Sequence, residues 1–110
     1  MKLVKIVRFK NFRLAMEAMG FNRNEIVRIS KEIAADRDLW PIIPGMRGAR
    51  KARIGLPNTG KRDGARVIYY IAIEERVFLL FAYPKSAQSD LSESQRRALI
   101  AVIEKIKGQT

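Results

Sequence analysis

Hydrophobic and polar positions along the chain switch period several times, and each switch marks a predicted element. Leu3 to Phe9 alternates apolar and basic residues, which predicts a strand suited to a sheet edge. Phe12, Leu14, Ala15, Ala18 and Met19 leave a rough apolar stripe that predicts a short helix ending at Gly20. Asn22 and Glu25 have capping-box spacing, and Ile26, Ile29 and Ile33 follow at helical spacing, so a second helix runs to about Asp36. Trp40-Pro-Ile-Ile-Pro-Gly45 cannot be helix interior, because Pro41 and Pro44 lack amide donors; it reads as a rigid connector. Arg50 to Ile54 predicts a short strand. Arg66 to Ile73 and Arg76 to Tyr83, β-branched and aromatic, predict two more, joined by a tight turn at Glu74-Glu75. Ser92 and Gln95 form a second capping box before a helix with Leu99, Val102, Ile103 and Ile106 on one stripe and Gly108 at its end.

The predicted order is β-α-α-β-β-β-α, an α+β fold with an antiparallel sheet and helices packed on one side. At 110 residues, with no repeat or low-complexity linker, the expectation is one domain spanning residues 1–110.

Charge changes the picture more than composition does. An apolar share of 47% is that of a folded chain, yet 22 Lys and Arg stand against 11 Asp and Glu, a net charge of +11. Such an excess points to a polyanionic partner: RNA, DNA, an anionic surface or an acidic protein. The cations concentrate at Arg47, Arg50, Lys51, Arg53, Lys61, Arg62 and Arg66, with Asp63 the one acid among them. The chain has no cysteine and no histidine, which excludes disulfides, thiolate metal sites and imidazole catalysis. No cofactor or metal is expected. Cations interrupt the N-terminal apolar residues too often for a signal segment, and the longest apolar run, Val77 to Tyr83, is far short of the roughly 20 residues of a spanning helix. A cytoplasmic protein without membrane contact is expected.

Lys51 and Arg53, two apart on a strand, share a face, and Arg66 opening the next strand can join it. The pattern fits a solvated polar face or a backbone-phosphate site whose three cations converge with no carboxylate between them. Gly55-Leu-Pro-Asn-Thr-Gly60-Lys61-Arg62 nearly spells a nucleotide-binding loop, but Arg62 replaces the magnesium-binding hydroxyl and a strand follows where a helix is required. Tyr69 shares a face with Val67, Ile71 and Ile73 and is expected in the core. Tyr83 and Lys85 lie where the sheet opens, so Tyr83 is either core or an exposed phenol able to meet a base or phosphate. Asp36/Asp38 and Glu74/Glu75 do not form a two-carboxylate site.

Ile43-Pro-Gly45, Gly48-x-Arg-Lys-x-Arg53, Gly60-Lys-Arg-x-Gly-x-Arg-Val-Ile-Tyr-Tyr70, Tyr83-x-Lys85 and Asp90-Leu-Ser-x-x-Gln95 together resemble the HigB-like branch of the RelE/ParE superfamily, the toxins of type II toxin–antitoxin modules. The resemblance implies a RelE-like fold and a ribosome-dependent mRNA endonuclease working without metal by 2′-OH attack on the phosphate. It also implies a cognate antitoxin, of helix-turn-helix type, as partner. Carried onto this sequence, Lys51, Arg53 and Arg66 surround the scissile phosphate. Tyr83 and Lys85 are expected to join the catalytic set by positioning the nucleotide or leaving group, and Arg47, Arg50, Lys61 and Arg62 to bind RNA. Lys51, crowded by cations, is the expected base. Two positions that hold an arginine and a tyrosine in some relatives hold Ser86 and Ser92 here. The rival functions are a gyrase-poisoning toxin of the ParE type and a basic RNA- or DNA-binding module. The antitoxin is expected either over the Lys51–Arg53–Arg66 face or, the favoured alternative, on the early helices (Phe12 to Asp36), with Phe12 and Met19 as exposed apolar contacts.

Overall fold

The computed structural model describes residues 4–57 and 64–109. Along the chain run β1 (Ile6–Arg8), α1 (Lys10–Ala18), α2 (Arg23–Ala35), β2 (Arg50–Ile54), β3 (Ala65–Ile71), β4 (Val77–Pro84) and α3 (Glu93–Gly108). The α+β class and the order β-α-α-β-β-β-α stand. Lys61 and Arg62 fall outside the described residues.

Local chemistry explains the boundaries. The Asn22 side chain accepts from the Glu25 amide at 2.8 Å, and the Glu25 carboxylate accepts from the Asn22 amide at 2.8 Å, so both halves of the α2 capping box form. Ser92 and Gln95 do the same for α3. Helix α1 begins at Lys10, two residues before its apolar stripe, because Phe9 ends β1 in extended geometry and accepts the Arg13 amide at 3.1 Å. Between β3 and β4 the chain turns through Ile73–Glu75, with Glu74 at φ 64° and Glu75 at φ 61°. Strand β3 therefore stops at Ile71, and Ile73 projects into solvent instead of continuing the Tyr69 face.

The sheet order is β1-β4-β3-β2. β2 pairs antiparallel with β3, and β3 with β4 across a bulge at Ile68/Tyr69. β1 pairs parallel with β4, so the sheet is mixed where an antiparallel one was expected. Parallel neighbours need a long crossover, and the chain from α1 to β3 supplies it.

A second difference concerns the helices, which were expected on one side. α1 and α2 cover one face, where Phe12, Met16, Ile26, Ile29 and Ile33 pack on Val67, Tyr69, Val77 and Leu79. α3 covers part of the other, where Leu99, Ile103 and Ile106 pack with Ile68, Leu80 and Tyr83. Successive β3 residues point to opposite faces and are apolar on both, so both faces need cover. Phe12 is fully buried at the centre of the first core, not exposed as expected; the outward apolar residue of α1 is Leu14, 52% exposed.

Tyr69 is core, as expected. Its hydroxyl donates to the Arg37 carbonyl at 2.7 Å, and burial is the main cause that raises its pKa above the ordinary 10.0. The connector before β2 is pinned by Ile43 and Ala49, whose amide and carbonyl meet at 2.8 Å. Gly48 (φ +98°) lets it pass under the Tyr70 ring, which a Cβ there would meet at 3.3 Å. Among the described residues, no helix is long and apolar enough to cross a membrane.

Candidate functional site

The ladders bring together residues far apart in sequence. Arg53 on β2 stands opposite Arg66 on β3, and Arg66 stands opposite Tyr83 on β4. Opposed residues share a face, so Arg53, Arg66 and Tyr83 form one row across three strands. Lys51 lies two residues before Arg53 on that same face, opposite Ile68. It is the face that α3 only partly covers. Lys85, just past β4, has an exposed side chain, and its amide donates to the Gly64 carbonyl at 2.9 Å.

Depth differs along the row. Arg53 is exposed, Arg66 is 9% exposed and Tyr83 is 2% exposed. The expected surface position of Arg66 is corrected, and of the two alternatives for Tyr83 the core one holds: α3 and the segment entering it, through Leu91 and Leu99, pack over the end of β4. Among the described residues the Tyr83 hydroxyl has no hydrogen-bond partner. Burial raises its pKa above the ordinary 10.0, Asp90 raises it further, and Arg66 opposes both. Tyr83 is therefore a neutral phenol beneath the cations.

The expectation of a carboxylate-free cluster also needs correction. Asp90 Oδ1 lies 3.7 Å from Lys51 Nζ, so Lys51 is ion-paired and not crowded by cations alone. Asp90 is the residue that sequence reading missed. The Asp90-Leu-Ser-x-x-Gln95 segment was read as a helix start and as part of the family resemblance, with no role given to its carboxylate. Its carboxylate accepts the Leu91 amide at 2.8 Å, and its carbonyl accepts from Gln88 Nε2 at 2.9 Å. Gln88 Nε2 also reaches Gln95 Oε1 at 2.7 Å, the atom that caps α3, so the start of α3 fixes Asp90. Ser92 is occupied as that helix's N-cap, and Ser86 is exposed in the preceding turn.

Lys51, Asp90, Arg96, Pro41, Ile42 and Pro44 line a cleft of about 400 Å³ beside the row, where Arg96 Nη2 donates to the Pro44 carbonyl at 3.0 Å. A larger groove of about 570 Å³ lies between α2 and the edge of β2; Arg28 and Arg53 also line it, but Glu25, Glu32 and Asp36 outnumber them and suit it poorly to phosphate.

The other cations fall elsewhere. Arg50 stands opposite Tyr69, on the α2 side, and Nη1 donates to the Trp40 carbonyl at 2.6 Å. Arg47, at φ 59°, is ion-paired with Glu104 of α3 at 3.0 Å. Neither joins the Lys51–Arg53–Arg66 group.

A family model described as the RelE toxin of the RelE / RelB toxin–antitoxin system matches residues 5–109. The chain belongs to the RelE toxin family. Membership places it among the toxins of toxin–antitoxin systems and implies a cognate antitoxin as partner. The α+β fold, with three α-helices and a four-stranded mixed sheet among the described residues, is consistent with that family.

Proposed function

We propose that this toxin is a ribosome-dependent mRNA endonuclease, and that Lys51, Arg53 and Arg66 hold the phosphate that is cut. The observation that carries the reading is the cross-strand row itself: two guanidinium groups and an adjacent ammonium on one face, beside a cleft. Guanidinium forks match phosphate oxygens bidentately, and fixed cations stabilise the extra negative charge of a five-coordinate phosphorane more than the ground state. Arg66 stands opposite Tyr83 on the ladder, and Arg53 reaches out from the sheet edge to meet the RNA. Lys85 lies beyond the end of β4, where it can meet a flanking phosphate.

Attack by a ribose 2′-OH on its own 3′-phosphate leaves a 2′,3′-cyclic phosphate and a 5′-hydroxyl. The face is open, so the in-line geometry this requires comes from the ribosome, which presents one codon in a fixed conformation. Cleavage is then expected only with translating ribosomes, and naked RNA is bound but hardly cut. Mapping mRNA 5′ ends after incubation with translating ribosomes tests this. New 5′-hydroxyl ends at defined codon positions support it. Intact mRNA together with arrested DNA gyrase would instead make the protein a gyrase poison.

A further inference from the structure

The chain contains no histidine, and 2′-OH attack needs a proton acceptor and a proton donor. Lys51 is ion-paired, and an ammonium has three donors and no acceptor. Tyr83 is a neutral phenol whose hydroxyl is out of contact with solvent. Arginine does not give up its proton. Among the described residues at this face, that leaves one acceptor, Asp90, with a side chain 61% exposed to solvent.

Resting on the nuclease reading, we infer that Asp90 is the general base of the reaction and that its ion-pair partner Lys51 is the general acid. Asp90 takes the 2′-OH proton as the O2′–P bond forms. The P–O5′ bond breaks with its electron pair going to O5′, and the Lys51 ammonium protonates that oxygen. The carboxylic acid and the neutral amine left behind are mutual neighbours, so one proton transfer between them restores the starting pair. Atoms and charge balance without metal or co-reactant. The two groups lie 3.7 Å apart, so a phosphate enters by parting them, the carboxylate then turned toward O2′ and the ammonium toward O5′.

The position of Asp90 is built. Its carboxylate is tied to the Leu91 amide, and its carbonyl is tied through Gln88 to the Gln95 cap, with Leu91 buried beneath. The charged or titratable groups around it are Lys51 from β2, Tyr83 from β4, Arg66 of β3 through its field on that phenol, and Arg96 from α3 on the lining of the same cleft. None of them competes as a base.

The test compares two mRNAs on translating ribosomes, one ordinary and one with sulfur replacing the bridging 5′-oxygen at the mapped cut. A thiolate leaves without a proton, so the sulfur substrate dispenses with the acid and still needs the base. Asp90→Asn keeps the acceptor for the Leu91 amide and is expected to lose about 100-fold or more in rate on both substrates. Lys51→Ala is expected to be slow on the ordinary substrate and to recover most of its rate on the sulfur one. Asp90→Glu keeps a carboxylate and should fall between wild type and Asp90→Asn on both. Wild-type cutting with Asp90→Asn unimpaired, or rescue of Asp90→Asn by sulfur, overturns the base assignment. Failure of sulfur to rescue Lys51→Ala overturns the acid assignment. A wild-type protein that cuts neither mRNA overturns the nuclease reading and this inference with it.

Discussion

Arg66 and Tyr83 stand directly opposite each other across the β3–β4 ladder, both buried, with the Tyr83 hydroxyl left without a hydrogen-bond partner among the described residues. A sheet interior rarely keeps an unpaired phenol, because desolvating the hydroxyl costs about 1–3 kcal/mol. Here the ring fills the floor beneath the cations while the hydroxyl contributes nothing to the fold.

Tyr83→Phe should therefore hold or raise stability, by up to about 1 kcal/mol, because it removes the unsatisfied group and keeps the ring. Tyr83→Ala should cost about 3–5 kcal/mol through the cavity it opens under α3. Urea unfolding of both variants checks the pair. A Tyr83→Phe protein weakened by 1 kcal/mol or more would show that the hydroxyl has a partner after all.

Two phenols, Tyr69 and Tyr83, have pKa values raised above 10.0, in each case mainly by burial. The folded state holds these protons more tightly than the unfolded chain does. Their stabilising contribution is thus complete below about pH 10, the unfolded value, and declines as pH rises from there through the folded values. Chemical denaturation across alkaline pH should show stability falling above about pH 10, with a smaller fall in Tyr83→Phe. Absorbance of phenolate should lag behind that of free tyrosine until the protein unfolds.

The parts of this molecule that were legible in the sequence are those set by neighbours in the chain. Asn22 with Glu25, and Ser92 with Gln95, announce helix starts because a cap is a contact over three residues. Lys51 and Arg53 share a face because strand geometry requires it. What could not be read depends on long-range cover. The apolar run of β3 does not say whether one face or both is packed, so α3 was assigned to the wrong side. Tyr83 looked open because it ends a strand, yet Leu91 and Leu99 close over it. Asp90 was missed because its meeting with Lys51 joins the loop before α3 to β2, which no local pattern records.

The same long-range cover decides α1. Phe12 is fully buried and Leu14 is 52% exposed, the reverse of what an apolar stripe starting at Phe12 implies for an antitoxin contact. Phe12→Ala should cost about 3–5 kcal/mol, whereas Leu14→Ala should stay within about 0.5 kcal/mol. Thermal or urea unfolding separates them. If an antitoxin docks on α1, Leu14→Ala weakens that complex without touching stability, and an unfolded Leu14→Ala protein would contradict the helix orientation.

Arg50 and Arg53 give the sharpest test of which cations meet RNA, because they lie on one strand and carry the same charge. Arg53 belongs to the row with Arg66; Arg50 points to the α2 side and donates to the Trp40 carbonyl. If the row binds the backbone, Arg53→Ala releases one fewer counterion on binding, and the slope of log K against log salt becomes shallower by about 0.7. Arg50→Ala should leave that slope as in the wild type. Its cost should appear in folding, about 1–2 kcal/mol, because the Trp40 carbonyl loses a charged donor. Fluorescence titration of a short single-stranded RNA over a range of salt, with unfolding curves for both variants, measures the two effects separately. Equal changes in slope would mean that the +11 charge attracts RNA diffusely. The face carrying Lys51, Arg53 and Arg66 would then have no privileged contact with phosphate.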